Sequence, residues 1–483
     1  MPETAPFRWT RRHVAALIVL CLAALLDTID VTVVNVAMPA IKSTLHFSEG
    51  GLAWMVSAYM VPFGGFLLLG GRAGDVLGRR RVLLAGTVLF TVASIGSGLA
   101  PDTAVMVITR AAEGLAAAFV VPMTLALLAV VFPAGPARTR AFSVWGAISA
   151  AAGTFGLILG GLLVSAVGWR WIFFINVPVG ALVIAFALRV LPSDSERQSG
   201  GFDLAGAVAV TGGASLLAYG TVRGTWGSPV TIVSLIAAAA LIGYFVVHER
   251  FVAPHPLLPM SLWRNRSVSG ANLIGALFSS AIFAMFFSTT LYMQQVLSYS
   301  ALRTGLAYIP LGVSILVAAG ISPALVRAIG VRMTTVAGTV LAVAGLILLT
   351  GIPVHGYLLT DILIPETFIG LGGGLVLVPT SIAGMSGVAV GRSGIGSALL
   401  NASRQLGGAL GFAVISAIVA NRTGALLARG VTGPAAMTSG FHTGFVVSAG
   451  LVAASAIAAL VLLREDGRGQ HVNLIELQAA GVG

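Results

Sequence analysis

Residues 14–37 read VAALIVLCLAALLDTIDVTVVNVA, an apolar run whose only charged members are Asp27 and Asp30. A helix rises about 1.5 Å per residue, so about 20 apolar residues cross the hydrocarbon core of a bilayer. This run is long enough. It follows Arg8, Arg11 and Arg12, as a secretory leader would. It is nevertheless too long for a leader's apolar region, and it carries two aspartates. We therefore expect an uncleaved first transmembrane helix.

Runs of similar length recur along the chain. After the first, they fall at 51–70, 82–100, 104–128, 141–166 and 171–190, then 203–222 and 229–247. Six more follow at 268–293, 305–327, 332–352, 357–380, 394–420 and 441–463. Fourteen spans are expected. Composition agrees: 57% of the 483 residues are hydrophobic and 9% are charged, against roughly 25% charged in soluble domains. So few charges cannot cover a water-facing surface, and most of the exterior must face lipid.

The net charge of +11 raises nucleic acid as a partner. The positive residues sit in short loops between apolar runs and form no patch, so that partner is excluded. The one cysteine, Cys21, permits no intrachain disulfide, and no Cys/His cluster has zinc spacing. No phosphate-binding Gly-x4-Gly-Lys loop occurs, which argues against direct ATP hydrolysis. No nucleophile, base and acid share a recognisable spacing. Neither enzyme, cofactor nor metal is expected.

Loop charges set orientation. With the N-terminus inside, nineteen of the 27 Lys and Arg fall in cytoplasmic segments and six in external ones. Only Arg110 and Arg404 lie within spans. An odd number of helices would break this alternation. The expected location is the cytoplasmic membrane, with both termini cytoplasmic.

The chain also repeats. Residues 78–86 (GRRRVLLAG) and 330–338 (GVRMTTVAG) share a Gly-x-Arg start and an Ala-Gly end at an offset of 252 residues. The expected organisation is a tail at 1–13, a six-helix bundle at 14–190, and linkers with two inserted helices at 191–267. A second six-helix bundle at 268–463 and a tail at 464–483 complete it.

Several strings then carry a resemblance. The first span ends in residues 27–39, DTIDVTVVNVAMP, and the loop after the second reads GRAGDVLGRRR at 71–81. The fourth span holds RAAEG at 110–114. WRWIFFINVPVG follows at 169–180, and NASRQLGGALG stands at 401–411. Over roughly residues 14–463 the chain resembles the major facilitator superfamily, and within it the fourteen-helix drug:proton antiporter branch. That resemblance implies an all-α membrane fold of two six-helix bundles plus two inserted helices. It also implies a loop at Gly71, Asp75, Gly78, Arg79 and Arg80 that latches the cytoplasmic side, with Arg404 as a partner region. Two departures stand out: Glu113 replaces the usual glutamine, and Leu157 replaces the usual proline of the fifth-span motif.

Ionisable groups within a bilayer are costly and mark function. Asp27 and Asp30 lie i, i+3 on one helix, as do Arg110 and Glu113 on another, so each pair shares a face. Asp30 and Arg110 lie roughly 10 and 9 Å below the external ends of their spans, Asp27 and Glu113 roughly 14 Å. Two level pairings are expected: an Asp30–Arg110 ion pair and an Asp27–Glu113 carboxyl pair for proton coupling. Glu366, in the twelfth span, is expected to face the cavity and attract a cation. Asn35, Trp54, Tyr59, Tyr292 and Gln294 are further cavity candidates. Gly156, Gly160 and Gly161, with Gly407 and Gly411, form small-residue faces for tight packing between the rocking bundles.

The expected activity is proton-coupled efflux of cationic or amphipathic drugs by alternating access, with substrate, protons and lipids as partners and a monomeric state. Open alternatives are a carrier of one specific metabolite or natural product, a lipid translocase, and a non-transporting sensor.

Overall fold

A computed structural model describes residues 9–133, 136–192, 203–223, 228–254, 256, 262–386 and 393–463. Its regular elements are helices: α1 (Arg11–Leu45), α2 (Glu49–Leu77), α3 (Arg79–Leu99), α4 (Thr103–Val131) and α5 (Pro136–Ala166) come first. A single turn α6 (Trp171–Phe174) leads into α7 (Asn176–Val190). The inserted pair is α8 (Leu204–Arg223) and α9 (Pro229–Phe251). The rest are α10 (Arg266–Leu291), α11 (Ala301–Ala307), α12 (Ile309–Leu349), α13 (Ile364–Met385), α14 (Ser393–Leu427) and α15 (Gly433–Leu462). Among the described residues, eleven helices are long and apolar enough to cross a membrane. Such helices satisfy their backbone groups internally, which a lipid environment demands.

The helix ends follow the sequence. Thr10, Ser48, Asp102 and Ser228 each accept a backbone N–H in the first turn of α1, α2, α4 and α9. Arg12 and Arg80 donate to the last carbonyls of α7, at Val190, Leu188 and Leu191. The repeat has a backbone cause. Gly78 joins α2 to α3 at φ 103°, and Gly330 breaks α12 at φ 85°. Each glycine opens one of the two Gly-x-Arg strings, and each occupies a conformation that a side chain would strain.

The helices α1–α7 pack on one another, and α10–α15 do likewise. The break at Gly330 lets the two segments of α12 flank α13. Gly370 and Gly374 of α13 sit against Leu311 and Ile315 of the first segment, and Gly338 and Gly345 of the second sit against Leu375 and Pro365. The pair α8 and α9 reaches both groups through α8. The helix α8 packs against α2 of one group and α14 of the other. Gly65 abuts Thr211, and Trp54 stands edge-on to Tyr219 at 6.1 Å. Its partner α9 turns Val233, Ile236, Val247 and Phe251 outward.

The inserted pair is pinned at one end. Asp203 Oδ1 accepts the Gly206 N–H at 2.8 Å and lies 2.8 Å from His248 Nε2 in the last turn of α9. Burial pushes the Asp203 carboxyl up, but the Gly206 N–H and hydrogen bonds to Glu249 and His248 outweigh it, holding it below the usual carboxylate range. A group lowered in this way stabilises the fold above its unfolded pKa of about 3.9, and the gain disappears as pH falls through the folded value. Asp203→Ala is expected to cost about 1–2 kcal/mol at neutral pH. The gap to wild type should close in melts run below about pH 4. An equal gap at both pH values would contradict this account.

Candidate functional site

The fold brings four charged groups together in the middle of the α1–α7 group. Asp27 and Asp30 project from α1, and Arg110 and Glu113 from α4. Asp30 and Glu113 are fully buried, and Arg110 is 2% exposed. Arg110 Nη1 donates to Asp30 Oδ2 at 2.5 Å and also to Glu113 Oε2. The guanidinium lies over the Tyr59 ring, 4.3 Å from its centroid, with Phe173 5.9 Å away.

Neutral donors complete the cluster. Asn176 Nδ2 donates to Asp30 Oδ1 at 3.1 Å and approaches Ser94 Oγ at 3.2 Å. Ser97 Oγ lies 3.0 Å from Glu113 Oε1 and 2.9 Å from the Thr109 hydroxyl. Tyr59 donates its hydroxyl to Asp27 Oδ1 at 2.6 Å.

The Asp30–Arg110 pair expected from depth is therefore present, while the expected Asp27–Glu113 carboxyl pair is not. Glu113 meets Arg110 on its own helix, one turn away, where the long guanidinium folds back. Tyr59 of α2 reaches Asp27 and takes the place assigned to Glu113. Counting rise along two helices measures depth only, and it omits a side chain reaching in from a third helix. Asn176, Ser94, Ser97 and Thr109 escaped the sequence reading. The signal for Asn176 was available, because it is a lone amide in an otherwise apolar stretch.

Near the face opposite the N-terminus the two helix groups touch. Gln294 Nε2 donates to Val36 O at 2.9 Å, and the Leu302 N–H donates to Ser165 Oγ at 3.3 Å. Gly161 of α5 sits against Ala301 and Leu302 of α11, and Gly305 of α11 against Leu157 and Ile158 of α5. Farther down, α2 meets α14, with Gly64 against Leu406 and Gly408 against Met60.

A model of the Major Facilitator Superfamily matches residues 20–412. The chain belongs to that superfamily. Among its relatives, the puromycin resistance protein pur8 of Streptomyces alboniger is 35% identical over 95% of this chain and 92% of its own. The cephamycin export protein CmcT of Amycolatopsis lactamdurans is 35% identical over 94% of this chain and 93% of its own. The solved structure of an auto-inhibited POT family peptide transporter matches at a TM-score of 0.68 and 14% identity, over 94% of this chain and 98% of that one. That last likeness is of fold alone. This facilitator is thus a multi-span membrane transporter and not an enzyme.

The side chains assigned to the facilitator's cavity have the following partners. Trp54 packs on Tyr219 of α8. Tyr292 is fully buried, donates to Pro353 O at 2.6 Å, and meets Phe441 edge-on. Asn35 donates to Val31 O on its own helix at 3.0 Å. Gln294 bridges the two groups, as above. In each case the side chain is committed to packing or to a backbone carbonyl, which periodicity along one helix does not reveal.

The packing glycines divide differently from expectation. Gly156 and Gly160 sit against Thr32 and Val33 of α1, and Gly407 and Gly411 against Ala276 and Ser280 of α10. These contacts lie within one group each. Only Gly161 of the five looks across to the other group.

Part of the latch loop is described. Arg80 reaches the end of α7 in its own group. Arg404 donates to Leu377 O, Thr380 Oγ1 and Ser381 Oγ on α13, at 3.3, 3.1 and 3.2 Å. It serves α13. Gly71 lies near Pro122, and the side chain of Asp75 lies outside the described residues. Leu157 leaves α5 without a proline past its first residue and is buried, with its carbonyl against Gly305.

Proposed function

We propose that this transporter exports small cationic or amphipathic antibiotics in exchange for protons. It works by alternating access between two halves, residues 14–190 and 268–463, with 191–267 inserted. The chain crosses the cytoplasmic membrane fourteen times, as a monomer with both termini inside, where loop arginines concentrate. Export is supported by relatives named for puromycin resistance and cephamycin export.

The observation that carries the proton reading is the charge balance at Arg110. Two buried carboxyls, Asp30 and Glu113, share one guanidinium, and a third, the half-buried Asp27, stands beside them on the Tyr59 hydroxyl. Fully ionised, the cluster would hold one uncompensated negative charge in the buried Asp30–Arg110–Glu113 triad and a second on half-buried Asp27, which is costly. A proton on Asp27 or Glu113 relieves that excess. Opening the cavity to water, or bringing in a cationic substrate, lets the proton leave. The cluster thus exists in two charge states tied to two shapes, as alternating access requires.

The test uses purified protein in proteoliposomes under an imposed pH gradient, with ethidium as the probe. Wild type should concentrate ethidium, by up to about tenfold per pH unit for each proton exchanged. Asp27→Asn and Glu113→Gln should lose that accumulation and only equilibrate the dye. Full gradient-driven transport by both variants would refute proton coupling through this cluster. Both curated relatives above are named for a single antibiotic, which favours a narrower range as the second reading. A panel of dyes and antibiotics in the same vesicles separates the two.

A further inference from the structure

Every carboxyl of the Arg110 cluster has a partner, but Glu366 has none. It sits in the first turn of α13, fully buried, and neither carboxyl oxygen meets a hydrogen-bond donor among the described residues. Its surroundings can be named element by element. On the preceding turn, Asp361 accepts from the Tyr357 N–H at 2.7 Å and the Thr360 hydroxyl at 3.1 Å, toward the open end. From the start of α12, Tyr308 is close enough to feel the charge of Glu366. The Tyr308 hydroxyl is already committed to Thr290 at 2.8 Å and to Phe286 O at 3.0 Å.

Among the described residues no cation is within reach. The helix α10 carries no charged residue after Arg266, and α12 carries none before Arg327. Arg404 of α14 is held beside Leu377, Thr380 and Ser381. Leu377 is eleven residues along α13 from Glu366, or roughly 16 Å at the rise of a helix.

The helix cannot easily turn the group out. Pro365 O sits against Gly345 on one side, and Gly370 sits against Leu311 on the other. Wide π-helical turns flank the site: Leu359–Leu363 runs directly into α13, and Tyr292–Val296 ends α10 just past Thr290. Such turns inside helices recur at functional positions. The second of them holds Gln294, which bonds Val36 of the other half. Parting of the halves on that face breaks this bond beside the site. An apolar side chain would fill the same space without the cost of burying an acid. Packing therefore does not account for Glu366.

We propose that Glu366 is a second proton-carrying carboxyl, held in the C-terminal half and exchanging its proton for the positive group of the substrate. The O–H bond breaks as the cavity opens, the proton passes to water, and the carboxylate pairs with the substrate cation. Charge at the site is the same before and after. This deepens the proton-coupled export reading and rests on it.

The test measures ethidium binding to the detergent-purified transporter in weakly buffered solution, with a pH indicator reporting proton release. Each proton exchanged makes the ethidium Kd change about tenfold per pH unit. Glu366→Gln should release one proton fewer than wild type, and its Kd should lose about tenfold of its dependence per pH unit. Glu366→Asp should restore the proton, a rescue that a packing role would not give. If wild type releases protons and Glu366→Gln releases as many with the same slope, this proposal is overturned and coupling through Arg110 stands. If wild type releases none, both readings fail together.

Discussion

Arg110→Ala is expected to abolish concentrative export and to lower stability by about 3–5 kcal/mol. One guanidinium nitrogen holds Asp30 Oδ2 and Glu113 Oε2 together, linking α1 to α4. Its removal leaves Asp30 with the Asn176 amide and Glu113 with the Ser97 hydroxyl. Neither carries charge, so two buried carboxylates lose their counter-ion at once. Arg110→Lys keeps the charge but loses the planar group that lies over Tyr59, so an intermediate loss is expected. The triple variant Asp30→Asn, Arg110→Met, Glu113→Gln separates fold from function. With these three charges gone, stability should recover toward wild type while transport does not. Thermal unfolding and ethidium accumulation, measured on the same preparations, read the two effects. Wild-type accumulation by Arg110→Ala would remove the cluster from the mechanism.

Gly114→Val is expected to disable the transporter through packing alone. Gly114 follows Glu113 on α4, and a Cβ there would drive into the Tyr59 carbonyl of α2. A backbone atom cannot step aside by changing rotamer. Alanine at this position should cost about 1–3 kcal/mol, and valine more. The damage is directed, because Tyr59 is also the residue that donates to Asp27 and underlies Arg110. A shift of about 1 Å in such a group can cost up to about a hundredfold in rate, so transport should fall well beyond the loss of folded protein. Gly153→Ala on α5 is the control. A Cβ there meets open space, and alanine favours a helix by about 1 kcal/mol. Transport by Gly114→Val at wild-type rates per folded molecule would show that the α2–α4 seam does not position the site.

Much of this architecture is legible in one dimension. Apolar runs of bilayer length, with loop arginines on alternate sides, dictate a helical membrane protein, because lipid leaves backbone groups no other partner. The repeat at Gly78 and Gly330 is also legible, and its cause is local: both glycines take a positive φ. The membership of Asp27, Asp30, Arg110 and Glu113 in one site follows from the cost of burying charge.

Tertiary structure decided who partners whom. Depth along an axis put Glu113 level with Asp27, yet Tyr59 from a third helix holds Asp27, and Arg110 folds back onto Glu113. Asn176 joins the cluster from a helix 146 residues away from Asp30 in sequence. Small-residue faces on α5 and α14 were readable, but most of them face α1 and α10 within their own group. Helical periodicity states which residues share a face. Which neighbour that face meets depends on the packing of all the other helices, and that is a property of the assembled bundle.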